Sequence, residues 1–240
     1  MYQLDNGWYV PDNEKKITSH VISNPNKENP TYEYRVRDKI LEALPVFGTF
    51  VDVGANIGIW SYPFQKHFSN VIAYEPSPRN LECLYKNVDN IIVHEAGLGD
   101  VKTTAHFVDS EDNCGNAHIV HKEKKHSYQI EVRRLDDENL EQCNLIKIDV
   151  QGYEWPVIQG AKQTIEKFKP WVIFEPNQDV EEMVRYFHSL NYYPLKCKSK
   201  TCWIFAPTSG PNAPDTTHFG TNGFQQDFAV MKELYNDNSA

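Results

Sequence analysis

Residues 49–58 read Thr-Phe-Val-Asp-Val-Gly-Ala-Asn-Ile-Gly. The first five residues form a short apolar strand. Gly54 and Gly58 bracket a turn, and "GIWSYPFQKHF" continues as a helix with Pro63 in or near its first turn. Gly54 lets the backbone bend and a ligand approach closely. Gly58 lets the helix begin close to the strand, so free helix N–H groups face the crevice at the strand's carboxyl end. The next strand, "VIAYE", ends on Glu75, 21 residues after Gly54. An acid at that edge suits the two hydroxyls of a ribose. Taken alone, Glu75 could also be a solvated strand-end carboxylate or a partner of Arg79.

The dinucleotide fingerprint is G-x-G-x-x-G, and Asn56 stands at its middle glycine. A pyrophosphate needs close backbone approach there, which disfavours NAD and FAD. A nucleoside cofactor without phosphates fits better. S-adenosylmethionine offers a ribose for Glu75, an adenine for the following loop and an amino-acid tail for the glycine turn.

Outward from this turn, strands and helices alternate. "RNLECLYKNV" is a helix opened by Ser77 as N-cap and Pro78 at the first helical position. "IIVHEA" is a third strand. Residues 97–135 then read as a β insertion, with strands "TTAHFVD" and "YQIEVRRL" flanking a polar loop. The alternation resumes with the strand "NLIKIDV", the helix "EWPVIQGAKQTIEKF", the strand "WVIFE" and the helix "DVEEMVRYFHSL". "YYPLKCKSKTCWIFA" closes as a hairpin turning near Lys198-Ser199. This order implies an α/β fold with parallel strands, right-handed crossovers and a terminal antiparallel hairpin.

Three segments follow: 1–44, a hairpin at Asp5-Asn6-Gly7 plus a helix, a candidate substrate cap; 45–206, the α/β domain; and 207–240, an extended arm. The arm ends in a helix whose Phe224, Phe228, Met231 and Tyr235 share a face. That face suits docking on its own domain, a cap on the site, or a homodimer contact.

Hydrophobic residues at 40% suffice for a core at 240 residues. No apolar run approaches the roughly 20 residues that span a bilayer, and the N-terminal stretch lacks a signal-peptide pattern. A net charge of −9 argues against nucleic acid as a partner. Five scattered cysteines, 83, 114, 143, 197 and 202, argue for packing roles in a reducing compartment. The expectation is a cytoplasmic protein with neither a membrane nor a nucleic-acid partner.

The segments "VDVGANIG", "AYEPSP", "AGLGD", "LIKIDVQGYEWPVIQGA" and "PWVIFE" occur in the order found in FkbM-type methyltransferases. The chain resembles that family over roughly residues 45–206. The resemblance implies S-adenosylmethionine as cofactor and a Rossmann-like sheet of about seven mostly parallel strands with helices on both faces. It also implies O-methylation of a hydroxyl on a saccharide or related small molecule. Carried across, it places Asp52, Gly54, Ala55, Asn56, Gly58, Glu75 and Pro76 around the cofactor, with Ala96, Gly97 and Leu98 in the adenine wall. The family has Glu or Gln where Gln151 stands. Residues 1–44 and the arm from Pro207 match nothing in it.

Methyl transfer to oxygen needs alignment of the partners and a base for the hydroxyl proton. Asp149 and Glu175, at the ends of the fourth and fifth parallel strands, are candidates, as is His94 near the end of the third. His94 equally suits a satisfied core histidine. Asn116 and His118 in the insertion, and Asn177 after the fifth strand, are candidate acceptor contacts, although His118 also belongs to a charged loop. Lys147 and Asp149 alternate on one strand, share a face and can pair. Asp149, Glu175 and Asn177 could together offer oxygen ligands to Mg²⁺; the same acids serve as well as bases or acceptors. No zinc spacing is present. The other readings are an enzyme methylating an amine, a protein or RNA, and a nonenzymatic nucleoside-binding module.

Overall fold

The computed structural model describes residues 1–22, 30, 32–120, 122–175, 177–195 and 202–214. The turn at Lys198-Ser199, Cys197 and the helix expected at 224–235 lie outside them.

An N-terminal hairpin pairs β1 (Tyr2–Gln3) with β2 (Tyr9–Val10), and α1 (Lys16–Ile22) and α2 (Tyr34–Ala43) follow. The main sheet then begins with β3 (Thr49–Val53), α3 (Ser61–Phe64), β4 (Asn70–Tyr74), α4 (Pro78–Asn87) and β5 (Ile92–His94). The insertion supplies β6 (Gly97–Leu98), β7 (Thr103–Val108), β8 (His118–Val120) and β9 (Tyr128–Arg133). The main sheet resumes with β10 (Leu145–Ile148), α5 (Glu154–Gln159), α6 (Lys162–Phe168) and β11 (Trp171–Phe174). It ends with α7 (Val180–Ser189), β12 (Tyr192–Leu195) and β13 (Trp203–Pro207).

Seven strands form the main sheet in the order β12-β13-β11-β10-β3-β4-β5. The pairs among β11, β10, β3, β4 and β5 are parallel, and β13 runs antiparallel to both its neighbours. This is the Rossmann-like α/β architecture expected. The sheet is covered on both faces, as parallel sheets require. Val51, Ile146, Ile148 and Phe174 pack toward α5, α6 and α7. Phe50, Leu145, Trp171 and Ile173 pack toward α2 and α3. The insertion is a separate four-stranded sheet, β6-β9-β7-β8.

Three local expectations change. The helix expected after Gly58 shrinks to α3, because Gly54, Asn56 and Gly58 all take positive φ (75°, 54° and 93°) and hold the chain in turns up to residue 60. The helix expected over "EWPVIQGAKQTIEKF" splits at Gly160. A Cβ there would lie 1.8 Å from the Gly99 carbonyl oxygen, so glycine admits the backbone of the insertion. Asp136 then caps the second half from afar, accepting from Gln163 N (3.1 Å) and Thr164 N (2.9 Å). Lastly, the closing hairpin does not simply extend the edge. Its second strand, β13, inserts between β11 and β12.

Beside the packing of Trp8 and Val10 against Ile57 and Cys83, a side chain ties the N-terminal hairpin down. Asn87 accepts from Tyr9 N (2.8 Å) and donates to Tyr9 O (2.9 Å) and Ile57 O (2.8 Å). Asn87→Ala leaves these backbone groups unmatched at about 1–3 kcal/mol. Hydrogen exchange of residues 8–10 is expected to accelerate well before that of β3; unchanged protection would refute the tie. At the other end Asn212, buried, accepts from Asn144 Nδ2 (2.9 Å) and donates to Phe168 O (3.0 Å) and Cys143 O (3.3 Å). The start of the expected arm is therefore docked against the domain as far as residue 214. Among the described residues no helix is long and apolar enough to cross a membrane.

Candidate functional site

The carboxyl ends of β4, β3, β10 and β11 lie side by side, and the site is built along this edge. The turn after β3 is held from below by β10. Asp52 and Lys147 are register partners in adjacent parallel strands, so their side chains leave the same face. Lys147 Nζ donates to the Gly54 carbonyl (2.9 Å) and pairs with Asp52 (3.4 Å) and Asp149 (3.7 Å). Burial alone would lower the Lys147 pKa, but the Asp52 and Asp149 carboxylates outweigh it and hold the group above its ordinary value. Asp52, fully buried, also accepts from Ser61 Oγ (2.7 Å) at the start of α3. Gly54 is required by crowding as well as by its positive φ, since a Cβ would meet the Asp149 carbonyl oxygen at 2.0 Å. The close approach belongs to the chain's own backbone just after β10.

Glu75 follows β4. Its Oε2 accepts from Asn56 N (2.7 Å), and its Oε1 from Ser77 N (2.8 Å) and Asn80 Nδ2 (3.5 Å). One carboxylate thus joins the glycine turn to the start of α4. Burial pushes its pKa up to about 7, against the lowering effect of the bonds from Ser77, Asn56 and Asn80. A carboxylate has about four lone-pair positions, so Glu75 keeps acceptor capacity on the crevice side. Arg79, a conceivable partner, instead donates to the Asp12, Ser110 and Glu111 carbonyls.

The space between atoms in the crevice above these strand ends is about 570 Å³ with the open solvent at its edge counted in, so the enclosed part is narrow. Gly54, Asn56, Glu75, Pro76, Gly97 and Leu98 line it. Phe107, Ile119 and Ile130, one from each of β7, β8 and β9, add an apolar roof that adjoins Gly97 of β6. The turn at Cys114-Gly115 closes the mouth, and the N-terminal segment fastens it. Glu14, buried, accepts from Lys16 N (2.6 Å), Ile17 N (2.8 Å) and Cys114 N. Cys114 Sγ in turn donates to Asn56 Oδ1 (3.1 Å).

Asp149 and Val150 end the crevice on the β10 side. The turn beyond is tight, with Gln151 at φ 55° and Gly152 at φ 95°. Glu154 Oε1 braces it, accepting from Val150 N (3.4 Å) and Gly152 N (3.1 Å). Gln151 Nε2 donates both to Asp149 Oδ1 (2.8 Å) and to Glu175 Oε2 (3.0 Å). Asn177 Nδ2 donates to the same Glu175 oxygen (3.3 Å) and to Glu154 Oε1 (3.4 Å). Burial, then the charge of Asp149, pushes the Glu175 pKa up to about 7.

Of the residues expected around a cofactor, Gly54, Asn56, Glu75, Pro76, Gly97 and Leu98 line the crevice, while Asp52, Ala55, Gly58 and Ala96 lie behind it. Ala55 packs with Ala73, Leu81 and Leu84. Gly58 makes room for Leu84 of α4 and for Val88 just after it, each 2.9 Å from where a Cβ would be. Asp149 lines the crevice and Glu175 is joined to it through Gln151. His94 does not reach the crevice. Its ring stacks on Tyr74 at 4.7 Å and its Nδ1 accepts from Arg133 Nη1 (3.2 Å), the satisfied-histidine alternative. Asn116 is exposed and His118 donates to its carbonyl (3.0 Å); neither lines the crevice. Asp149, Glu175 and Asn177 come together, but not as a magnesium site. Amide N–H donors of Gln151 and Asn177 take one oxygen of each carboxylate, Asp149 Oδ1 and Glu175 Oε2, and direct Asn177 as a donor toward the pair. Among the described residues no group of three or more His, Cys, Asp or Glu side chains is arranged to hold a metal.

Sequence reasoning missed the apolar roof, although the alternation in "YQIEVRR" could have given Ile130. It also gave no sign that half-buried Tyr32 would come within electrostatic reach of Asp149, although Tyr32 does not line the crevice. Tyr32 belongs to the N-terminal segment and had no local signal.

A family model for the methyltransferase FkbM domain matches residues 52–194. "Methyltransferase 1" of Beauveria bassiana (strain ARSEF 2860) is 28% identical over 143 residues, which cover 46% of this chain and 57% of the relative. "Methyltransferase sdnD" of Sordaria araneosa is 24% identical over 162 residues, covering 50% and 62% respectively. The chain thus spans less than two thirds of the length of either relative. The crystal structure of methyltransferase FkbM from Methylobacillus flagellatus KT superposes with a TM-score of 0.50 at 23% identity, covering 67% of this chain and 44% of that one. At that identity the likeness is one of fold.

Proposed function

The chain belongs to the methyltransferase FkbM domain family, and on that premise we propose that it is an S-adenosylmethionine-dependent O-methyltransferase acting on a hydroxyl of a saccharide or related small molecule. The observation that carries the reading is Glu75 beside the glycine turn, a buried carboxylate with acceptor capacity left over, at the crevice edge where a ribose diol would lie.

The other surfaces fit the same cofactor. Asn56 fills the place a pyrophosphate would need, its Oδ1 engaged by Ile57 N (2.7 Å) and Cys114 Sγ. The roof of Phe107, Ile119 and Ile130 offers apolar surface to a flat base.

When bound, S-adenosylmethionine supplies a methyl group activated by a sulfonium. The chain must orient an acceptor behind that methyl and take its proton. A hydroxyl needs a base to become a competent nucleophile, whereas a neutral amine already carries a free lone pair. Two joined carboxylates, Asp149 and Glu175, at the β10 and β11 ends therefore favour a hydroxyl. A base pushed up to about 7 by burial and by the charge of Asp149, as Glu175 is, is matched to neutral operating pH. A net charge of −9 speaks against RNA.

The test is incubation with methyl-labelled S-adenosylmethionine and separate pools of saccharides, RNA and protein. Label is expected on saccharide hydroxyls. Label on RNA or protein alone would overturn the acceptor class. Absence of S-adenosylhomocysteine binding in calorimetry would overturn the cofactor.

A further inference from the structure

We propose that Gln151 is a positioning residue of the reaction, its side-chain amide holding the Asp149 and Glu175 carboxylates as one unit in which Glu175 receives the proton released by the acceptor. The inference rests on the methyltransferase reading.

The sheet order arranges the acids along one edge. Glu75 follows β4, Gly54 follows β3, Asp149 follows β10 and Glu175 follows β11. Adjacent strands are about 4.8 Å apart, so this line runs roughly 14 Å from Glu75 to Glu175. A cofactor with its ribose at Glu75 would lie over Gly54 with its reactive end toward Asp149, which lines the same crevice. An in-line displacement places the acceptor on the far side of the methyl group. On this edge the far side is the β11 end, where Glu175 stands.

The oxygens divide in the same way. Asp149 has Oδ1 on Gln151 and Oδ2 toward Lys147. Glu175 directs one oxygen, Oε2, to Gln151 and Asn177. Its Oε1 is the oxygen left for a proton. In the balanced step the acceptor oxygen forms a bond to the methyl carbon. The carbon–sulfur bond breaks with its electron pair going to sulfur, which becomes a neutral thioether. The hydroxyl proton passes to Glu175 Oε1 and later to solvent.

Gln151 is placed there at a cost. A non-glycine residue at φ 55° is held in a sparsely populated conformation. Such strain persists where the surroundings over-determine it, and it clusters at functional sites. Here Glu154 clamps the turn on either side of Gln151, at Val150 N and Gly152 N. The reward is an N–H donor aimed at two carboxylates that would otherwise repel each other across adjacent strands.

The test is carbon-13 NMR titration of the Glu175 carboxyl in the full chain, with S-adenosylhomocysteine binding measured on each variant. In the parent protein the midpoint is expected near 7. Gln151→Leu removes the donor and should move it upward by about one pH unit. Gln151→Glu, nearly isosteric, places a third acid in the cluster and should move it upward as well. Both variants should retain S-adenosylhomocysteine binding, and both should shift the acid limb of methyl transfer in parallel with the titration. An unchanged midpoint in both overturns the proposal even if the cofactor binds. Loss of cofactor binding in both overturns it too, because Gln151 would then serve the crevice and not the carboxylate pair. Failure of the parent protein itself to bind the cofactor overturns instead the reading on which the proposal rests.

Discussion

Lys147→Met is expected to lower the thermal midpoint by about 6–20 °C. The loss is not one of packing, since methionine fills most of the same space. Asp52 is fully buried, and its Oδ1 accepts no hydrogen bond; the Lys147 ammonium at 3.4 Å is what balances its charge. Removing one partner of a buried pair leaves an uncompensated charge, at about 3–5 kcal/mol. For a domain of this size each kcal/mol moves the midpoint by about 2–4 °C. The Gly54 carbonyl loses its donor at the same time, so the glycine turn should loosen. The double variant Lys147→Met with Asp52→Asn should recover part of the loss, because the orphaned charge is then gone. Scanning calorimetry of the single and double variants decides it: a fall under about 2 °C for the single variant would show that the triad is not what holds the turn.

Glu75→Ala is expected to weaken S-adenosylhomocysteine binding by roughly 10²- to 10⁴-fold, the value of two hydrogen bonds to a charged acceptor at about 1.5–3 kcal/mol each. The alanine variant also frees Asn56 N and Ser77 N, so Glu75→Gln is the sharper comparison. A glutamine keeps one acceptor oxygen, but its NH2 faces a backbone donor. The pH dependence separates binding from architecture. With its pKa raised to about 7, Glu75 is protonated below that value in the empty protein. Ribose hydroxyls donate best to the carboxylate, so affinity should rise as pH climbs through 7 and level off above it. The Gln variant should show no such rise. The sign for stability is opposite. The folded state binds this proton more tightly than the unfolded chain, so its contribution is fully present below about 4.5 and is lost as pH rises through about 7. Calorimetric titrations at pH 6 and 8 provide the check, and equal affinities at the two values would refute Glu75 as the ribose acceptor.

Both effects come from residues visible in the chain, but they were visible to different degrees. Glu75 could be nominated from spacing, as an acid 21 residues beyond a glycine turn at the end of the next strand, but a solvated carboxylate or a partner of Arg79 fitted the same position. The folded chain buries it and turns Arg79 to backbone carbonyls instead. Lys147 showed only as a charge inside an apolar strand. Its register with Asp52 and its reach to Gly54 needed the sheet to be assembled. His94 shows the converse. Its position at a strand end matched that of a base, yet its ring lies against Tyr74 and Arg133, and no local pattern tells which way a strand-end side chain turns.

The sequence by itself determined the α/β alternation, the glycine turn, the start of α4 at Ser77-Pro78 and the acids at three strand ends. These rest on periodicity, turn chemistry and capping, which act over a few residues and are written locally. The tertiary structure alone decided what covers the crevice and what braces it. The roof comes from β7, β8 and β9, the mouth is fastened by Glu14 across 100 residues, and α6 is capped by Asp136. It also decided that β13 enters between β11 and β12, and that Gln151 sits between two carboxylates from different strands. Each of these depends on strand order and on side chains meeting across long separations, where partner choice is set by burial and hydrogen-bond satisfaction in the assembled fold.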